Sequence, residues 1–255
     1  MSPVKPKLVL SYSKISVYKC PKKFHYKYIQ RLPEVQNNRN SLPGRAIQKL
    51  FELFVNSKQW ANGSIWLYKN IEKIFYHEYK RFEATTTFHR GEEYEDVLTE
   101  VRDMIPTCYD LFVKKGWNFA QIFSEIRFEA DLSHSIKLIG DMDFLIKTKD
   151  KVVLIDFKST SKGVSALDKE QLLIYNYLYK AQHGKYPDDT FFFLCRDNVL
   201  VRVNIVQQEI DDLITKILKV ADGIQNADYH KEPSESNCRW CPWKKSCWSP
   251  ERSPW

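Results

Sequence analysis

The chain has 255 residues, of which 43% are apolar, so it can bury a full hydrophobic core. Its 8 glycines and 11 prolines are too few for a collagen-like or low-complexity protein. A net charge of +7 leans towards polyanionic partners. No apolar run approaches the roughly 18 residues that span a bilayer, and the N-terminus predicts no signal peptide. We therefore expect a cytoplasmic protein (or one in an intracellular host compartment, if viral) with no membrane partner, whose cysteines are thiols or metal ligands.

The hydrophobic pattern predicts helices in the first half of the chain and strands interleaved with helices in the second. A helix that begins near Ser13 should be kinked or split by Pro21. The later elements expected are helices at 44–57, 65–82 and 92–115 (interrupted at Pro106), strands at 119–130, 135–148 and 151–158, a helix at 165–183, a hairpin at 190–196 and 199–205, and a helix at 210–221. This order favours an α/β fold of the mixed α+β type, with a mixed central sheet flanked by helices.

We expect a single domain, 1–255, in four consecutive parts. These are a basic segment at 1–43, a helical region at 44–118, an αβ core at 119–227 and a cysteine tail at 228–255. Residues 1–33 hold eight basic side chains and no acid, interleaved with aromatic residues, and Lys19, Lys23 and Lys27 recur every four residues as on one helix face. Such a surface suits single-stranded DNA through phosphate contacts and base stacking; a solvated lysine face over an aromatic core is the alternative.

Charged residues interrupt two predicted apolar strands, in the segments 140–143 and 156–158. Strand interiors disfavour aspartate and isolated buried charges are costly, so these residues need a reason. A two-residue turn at Lys149-Asp150 would place Asp143 directly opposite Asp156, with Lys158 on the same face and Phe157 directed into the core. A slip of one residue would separate the two acids.

Two facing carboxylates repel each other unless a divalent cation lies between them, and Mg²⁺ and Mn²⁺ prefer oxygen ligands. A neighbouring lysine could hold a phosphate or lower the pKa of an attacking water. The pattern therefore indicates metal-assisted phosphodiester hydrolysis, and an acid–lysine ion pair on a solvated sheet edge is the alternative.

With these motifs the chain resembles the RecB-like branch of the PD-(D/E)XK nucleases, which share a restriction-endonuclease-like core. Residues 140–143 are similar to the family's G-x-x-D, and 156–160 to its D-x-K with a small polar pair. Residues 171–175 match Q-x-x-x-Y, and 44–52 lie where the family has G-x-x-x-H and a nearby Glu. Each motif is weak alone, but four in the correct order and spacing are specific.

The resemblance implies that Asp143, Asp156 and the carbonyl of Phe157 bind Mg²⁺ or Mn²⁺, while Lys158 positions or activates the hydrolytic water. It implies that Gln171 and Tyr175, one turn apart on a helix, support the lysine and the DNA strand; ordinary helix packing is the alternative. The implied activity is a deoxyribonuclease, most readily an exonuclease on single-stranded or frayed DNA ends, with 5′→3′ the favoured direction and 5′-phosphate and 3′-hydroxyl products. A helicase, recombination, repair or CRISPR-adaptation protein is the implied partner.

One position departs from the family pattern, because Gln48 stands where the family has a metal-binding histidine. An amide oxygen binds a hard cation less strongly than a charged ligand, and Glu52, one turn further along, is the substitute ligand. This departure supports a second hypothesis, a weakened or inactive DNA-binding or assembly module with the nuclease fold.

Three cysteines in the tail follow the spacing C-x₂-C-x₅-C at Cys238, Cys241 and Cys247, and a closed metal site needs a fourth ligand. Spacing alone does not choose among Cys20, Cys108 and Cys195, although the last two lie in apolar elements typical of buried thiols. Iron–sulfur relatives such as the AddB nuclease domain and the CRISPR-adaptation nucleases place one cysteine before the core and three after it. The resemblance thus implies that Cys20, Cys238, Cys241 and Cys247 hold a [4Fe–4S] cluster as a structural staple. Zn²⁺ on the same thiolates is the alternative, and a zinc-stapled adaptor with no nucleic-acid role is a third hypothesis.

Overall fold

The computed structural model describes residues 6–34, 38–160, 163–239 and 241–248. Lys5 of the basic segment and residues 249–255 of the tail lie outside the described residues. The chain divides into two compact units. The first comprises Met1–Gln36, Glu129–Gly140 and Val206–Trp255, and the second comprises Asn37–Phe128 and Asp141–Ile205.

The described residues form a mixture of strands and helices, as the sequence predicts. The strands are β1 (Leu8–Ser11), β2 (Gln121–Ser133), β3 (Ile136–Lys147), β4 (Val152–Lys158), β5 (Asp189–Leu194) and β6 (Val199–Arg202). The α-helices are α1 (Tyr12–Val17), α2 (Pro21–Phe24), α3 (Leu42–Asn56), α4 (Gly63–Lys80), α5 (Tyr94–Lys114), α6 (Lys169–His183), α7 (Gln207–Gln225), α8 (Glu235–Cys238) and α9 (Lys244–Cys247). No helix in the described ranges is long and apolar enough to cross a membrane.

The second unit is built on a mixed sheet. The C-terminal half of β3 is antiparallel to β4, β4 is parallel to β5, and β5 is antiparallel to β6. One face of this sheet packs against α3, α4 and α5 in an apolar core. The rings of Phe112, Phe144 and Phe157 meet there, with centroids 4.7 Å apart for Phe144 and Phe157 and 5.5 Å apart for Phe112 and Phe144. Each fully buried side chain of this size contributes about 1.5–3 kcal/mol, so this face holds the strands in position.

The first unit joins the N-terminal and C-terminal segments of the chain. β1 runs parallel to the first half of β3, with Leu8 opposite Ile136 and Ser11 opposite Ile139. Tyr18 Oη donates a hydrogen bond to the carbonyl of Asp228 at 2.8 Å. A side-chain carbon at Gly223 in α7 would come too close to that tyrosine hydroxyl, so a larger residue would require the Tyr18 ring to shift.

Further contacts extend the connection between these two segments towards the end of the tail. The backbone N–H of Lys22 donates to the carbonyl of His230 at 2.9 Å, and the indole N–H of Trp243 donates to the carbonyl of Pro33 at 3.2 Å. The described N-terminal and C-terminal segments therefore fold together within the first unit.

Three sequence predictions of local structure are wrong. Pro106 does not interrupt α5, because the helix buries Met104, Ile105 and Cys108 almost completely, and this packing outweighs the hydrogen bond that proline cannot donate. The pattern also missed β1, whose four residues are too few to show strand alternation.

The third wrong prediction concerns the helix stripe of lysines, since Lys19, Lys23 and Lys27 do not share one helix. Lys19 lies in the turn after α1, Lys23 lies in the four-residue α2, and Lys27 lies in the π-helix His25–Ile29. The physical reason is Pro21, which begins a new helix after Cys20 in extended conformation.

Candidate active site

The register of β3 and β4 decides whether the two aspartates share a face. Phe144 pairs with Ile155 and Lys147 pairs with Val152, around a two-residue turn at Lys149-Asp150. This is the register that the sequence predicts. One step beyond Phe144, the carboxylate of Asp143 accepts a hydrogen bond from the backbone N–H of Phe157 at 2.7 Å, which holds it against the β4 segment that carries Asp156.

Both aspartates are buried, with 9% of Asp143 and 1% of Asp156 exposed. Burial raises the pKa of Asp143 well above its ordinary value, and the charge of Asp156 raises it further. Burial also raises the pKa of Asp156, against the opposing effect of Lys158. Neither oxygen of Asp156 has a hydrogen-bond partner among the described residues, although Oδ2 forms an ion pair with Lys158. A buried carboxylate that accepts no hydrogen bond is costly in free energy when it is ionised, and a bound cation would relieve that cost.

Lys158 links the carboxylates to a polar relay on α6. Its Nζ lies 2.5 Å from Asp156 Oδ2 and donates to Gln171 Oε1 at 2.9 Å. The Gln171 amide in turn donates to Tyr175 Oη at 2.9 Å. The carboxylate of Asp168 accepts a hydrogen bond from the N–H of Glu170 and so caps the N-terminus of this helix. The cap sets where the helix begins and therefore places Gln171 in its first turn. Burial, then the charge of Asp156, raises the pKa of Tyr175, so its hydroxyl stays neutral.

Helix α3 brings Gln48 to the same place, with Nε2 2.7 Å from Asp143 Oδ1 and 2.5 Å from Glu125 Oε1. Glu52 does not contact either aspartate; it pairs with Lys49 at 2.7 Å and lines a neighbouring cavity with Gln48 and Glu125. Gln48 thus hydrogen-bonds directly to Asp143, whereas Glu52 lines the neighbouring cavity and forms no hydrogen bond with either aspartate.

Glu125 is a candidate site residue that the sequence pattern missed. Its φ of +51° is unusual for a non-glycine residue in a strand, and such strained conformations cluster at functional sites. Burial raises its pKa, and the nearby charges of Glu52 and Asp141 raise it further. The sequence did not single out Glu125, because Glu125, Arg127 and Glu129 all occupy alternate positions of the same predicted strand and nothing distinguishes one from the others.

The donor set at this site fits a hard cation, because buried carboxylate oxygens without hydrogen-bond partners are the ligands that Mg²⁺ and Mn²⁺ prefer. The set is nevertheless small. Among the residues that the structure describes, no three histidine, cysteine, aspartate or glutamate side chains come close enough to hold a metal ion. With an amide at Gln48, the site offers two charged oxygen ligands, Asp143 and Asp156, beside the carbonyl of Phe157.

The four cysteines that the family resemblance groups together line one cavity in the first unit. Cys20, Cys238, Cys241 and Cys247 line one cavity of about 20 Å³, beside Lys22, Lys23 and Lys244. Burial raises the pKa of Cys241, while the charge of Lys23 lowers it. Cys108 and Cys195 lie elsewhere, fully buried in the core of the second unit.

The basic residues that the sequence singled out have different surroundings. Lys27 forms an ion pair with Glu34 at 2.7 Å, and Lys23 lines the cysteine cavity. Lys19 lies in an exposed turn, and its carbonyl accepts a hydrogen bond from Asn237.

The sequence model of the PD-(D/E)XK nuclease superfamily matches residues 9–248, almost the whole chain. The chain therefore belongs to the PD-(D/E)XK nuclease superfamily, and its mixed sheet flanked by helices is consistent with that fold. Membership defines it as a nuclease, a hydrolase whose substrate is DNA, in a superfamily that usually uses Mg²⁺ or Mn²⁺.

Comparison with other proteins adds distant similarity only. Eighteen solved chains match the structure. One is described as the crystal structure of SSO0001, with a TM-score of 0.45 and 13% identity over 98% of this chain and 90% of that one. No curated protein matches the sequence.

Proposed function

We propose that this protein is a Mg²⁺- or Mn²⁺-dependent exonuclease that acts on single-stranded or frayed DNA ends, with 5′→3′ the favoured direction. The observation that carries the proposal is the pair of buried carboxylates, Asp143 and Asp156, with the ammonium group of Lys158 2.5 Å from one of them. A purely structural ion pair would need one acid for this lysine, whereas the second acid adds repulsion that a bound divalent cation would offset.

The residues divide the chemistry among them. Asp143, Asp156 and the carbonyl of Phe157 would hold the divalent ion, which supplies Lewis-acid activation of the phosphate and of water. Lys158 Nζ is positioned by Asp156 and Gln171 to orient the attacking water and to stabilise negative charge that develops on the phosphate. Tyr175 holds Gln171, and through it the lysine, so both act as positioning residues.

Cleavage of end-labelled single-stranded DNA tests this proposal. We expect Mn²⁺ or Mg²⁺ to support stepwise shortening, EDTA to stop it, and the products to carry 5′-phosphate and 3′-hydroxyl groups. Asp156→Ala and Lys158→Ala should abolish cleavage in folded protein. Asp141→Ala is the matched control, because Asp141 lies two residues from Asp143 on β3 and pairs with the exposed Arg127. Retained cleavage in Asp156→Ala or Lys158→Ala would refute the catalytic assignment.

A second candidate function, a DNA-binding or assembly module with little catalysis, is favoured by Gln48. Its amide donates hydrogen bonds to Asp143 and Glu125, which stabilises their charges without a metal ion. This candidate predicts salt-dependent DNA binding with no cleavage in any divalent ion. Restoring a metal ligand with Gln48→His would then raise cleavage, whereas an active wild-type protein would rule the candidate out.

We further propose that Cys20, Cys238, Cys241 and Cys247 hold a structural [4Fe–4S] cluster. Support comes from the four cysteine side chains that line one cavity and from the lysines beside them, which favour a negatively charged group. A single zinc ion binds thiolates at about 2.3 Å and would need the four sulfurs within about 3.8 Å of one another, and the described cysteines do not come that close in groups of three or more. A brown protein with broad visible absorption would support iron–sulfur, and a colourless protein containing zinc would contradict it.

Lys19, Lys23 and Lys27 are the proposed DNA contacts. Tyr175, which the resemblance also links to the DNA strand, is buried and would act on the strand through Gln171 and Lys158. A helicase, recombination or CRISPR-adaptation protein is the proposed partner. Contacts to phosphates predict that each lysine-to-glutamine change weakens single-strand binding and lowers its salt dependence by about one unit of slope. Lys216→Gln on α7, outside the proposed contacts, is the control; an equal effect there would contradict the assignment.

A further inference from the structure

A cavity of about 580 Å³ in the second unit opens beside the candidate active site. Gln48 and Lys158 line both the cavity and the site. The remaining polar lining is basic or neutral: Arg39, Asn40, Ser41, Arg45, Ser159, Thr160 and Arg196. No acidic side chain is among the described residues that line it, so the cavity is built for an anion of about nucleotide size.

The acids that pair with these arginines lie outside the cavity lining. Arg39 pairs with Glu92 and with Glu100, the latter at 2.8 Å, and Glu100 also pairs with Arg196. Arg196 Nε in addition donates to the carbonyl of Ser159 at 2.6 Å. This network fixes the guanidinium groups around the cavity before any ligand arrives, which lowers the entropy lost on binding.

Arg45 has donor atoms that the protein itself does not satisfy. Its Nε and Nη2 are buried and hydrogen-bond to no described residue, although Nε lies 3.4 Å from a Glu78 oxygen. Burial lowers the pKa of Arg45. Arg45 nevertheless lines the cavity with 25% of its side chain exposed, so its positive charge is available to an oxyanion there.

Gly44 lets α3 lie close to the residues that follow β4. A side-chain carbon there would come too close to Ser159 Oγ, so a larger residue would require the serine hydroxyl to rotate away. This close approach places the arginines of α3 and its N-terminal flank near the loop that follows Lys158.

We propose that this cavity binds the terminal phosphomonoester of a DNA strand, an inference that rests on the proposed nuclease function. A terminal phosphate carries about two negative charges near neutral pH, against one for a phosphodiester, and guanidinium groups bind it bidentately. Each of the three arginines and Lys158 pairs with a carboxylate, and the N–H groups that remain can be shared with the charged oxygens of a terminal phosphate. Because Lys158 is shared with the carboxylate site, the bound end sets which bond is cleaved.

Four otherwise identical single-stranded oligonucleotides, ending in 5′-phosphate, 5′-hydroxyl, 3′-phosphate or 3′-hydroxyl, test the proposal. With Mn²⁺, we expect a phosphate at one of the two ends to raise kcat/KM by about 10- to 100-fold, as charge-assisted hydrogen bonds predict. The end that responds identifies which terminus the cavity holds. Arg45→Gln should reduce the ratio of phosphate to hydroxyl substrates towards one, while Arg202→Gln, an exposed arginine paired with Asp189, should preserve it.

Binding to the non-cleaving Asp156→Ala variant separates this inference from the proposed function. If no oligonucleotide is cleaved, the proposed function fails, but fluorescence anisotropy with the same four oligonucleotides still measures the preference. Equal affinity for phosphate and hydroxyl ends, or a preference that Arg45→Gln leaves intact, would overturn the cavity assignment. If Arg45→Gln does not fold, Arg45→Lys should lower the preference partly, because it keeps the charge but loses the bidentate fork.

Discussion

The substitution Lys158→Met tests whether the lysine stabilises a buried charge. It keeps most of the apolar length of the lysine side chain but removes the positive charge beside the buried Asp156 carboxylate. The ion pair spans 2.5 Å, with 1% of the Asp156 side chain and 27% of the Lys158 side chain exposed. Breaking a fully buried pair costs about 3–5 kcal/mol, and the exposure of Lys158 reduces the expected loss to about 2–3 kcal/mol at neutral pH. In a chain of this size, the melting temperature should fall by about 4–12 °C.

The sign of the pH dependence follows from Asp156. Its pKa is already raised by burial, and removing the lysine takes away the charge that lowers it. An acid whose pKa is raised in the folded state destabilises that state as pH rises above its unfolded pKa, and protonation relieves the penalty. The stability difference between Lys158→Met and wild type should therefore shrink as pH falls. Mn²⁺ should recover part of the loss, since a bound cation replaces the missing charge.

Urea unfolding in EDTA at several pH values measures this difference. Lys151→Met is the matched control, because Lys151 precedes the same strand and pairs with Asp189 at 3.1 Å, but its side chain is 60% exposed. We expect the control to lose less than about 1 kcal/mol. Equal losses for the two variants, or a loss for Lys158→Met that does not change with pH, would refute the argument that Asp156 is a buried charge held by this lysine.

Three further variants test other parts of the structure. Tyr175→Phe should lower kcat by about tenfold with KM unchanged, as expected for one lost hydrogen bond to Gln171, and single-turnover kinetics would show whether the loss is in the chemical step. Cys241→Ser should lose the visible absorption and lower the melting temperature, and a stable, coloured, fully active variant would contradict the cluster proposal. The hydrogen bond from Arg39 lowers the pKa of Glu92 to about 2. Glu92→Gln should therefore lower the free energy of unfolding by about 1 kcal/mol at neutral pH. Urea denaturation at a series of pH values should show this difference disappear as pH falls towards 2.

The hairpin shows what can be predicted from the sequence alone. Side-chain alternation with period 2 and a two-residue turn are local properties, so placing Asp143 and Asp156 on one face needed no knowledge of the rest of the chain. The i, i+4 spacing of Gln171 and Tyr175 is local in the same way, and their hydrogen bond follows from the helix. Pro106 shows the limit of this reasoning, because the burial of its neighbours decides the outcome.

The sequence by itself determined the superfamily, the mixed fold and the pair of aspartates, since each depends on short-range pattern and spacing. Only the tertiary structure decided that Gln48 contacts Asp143, that Glu52 lies one step away, and that Glu125 joins the site. It also brought together the cavity beside the site, whose lining comes from three distant parts of the sequence, residues 39–48, residues 157–160 and Arg196. The physical reason is that side-chain period reports which face a residue occupies, whereas the packing of helices on a sheet sets which faces meet.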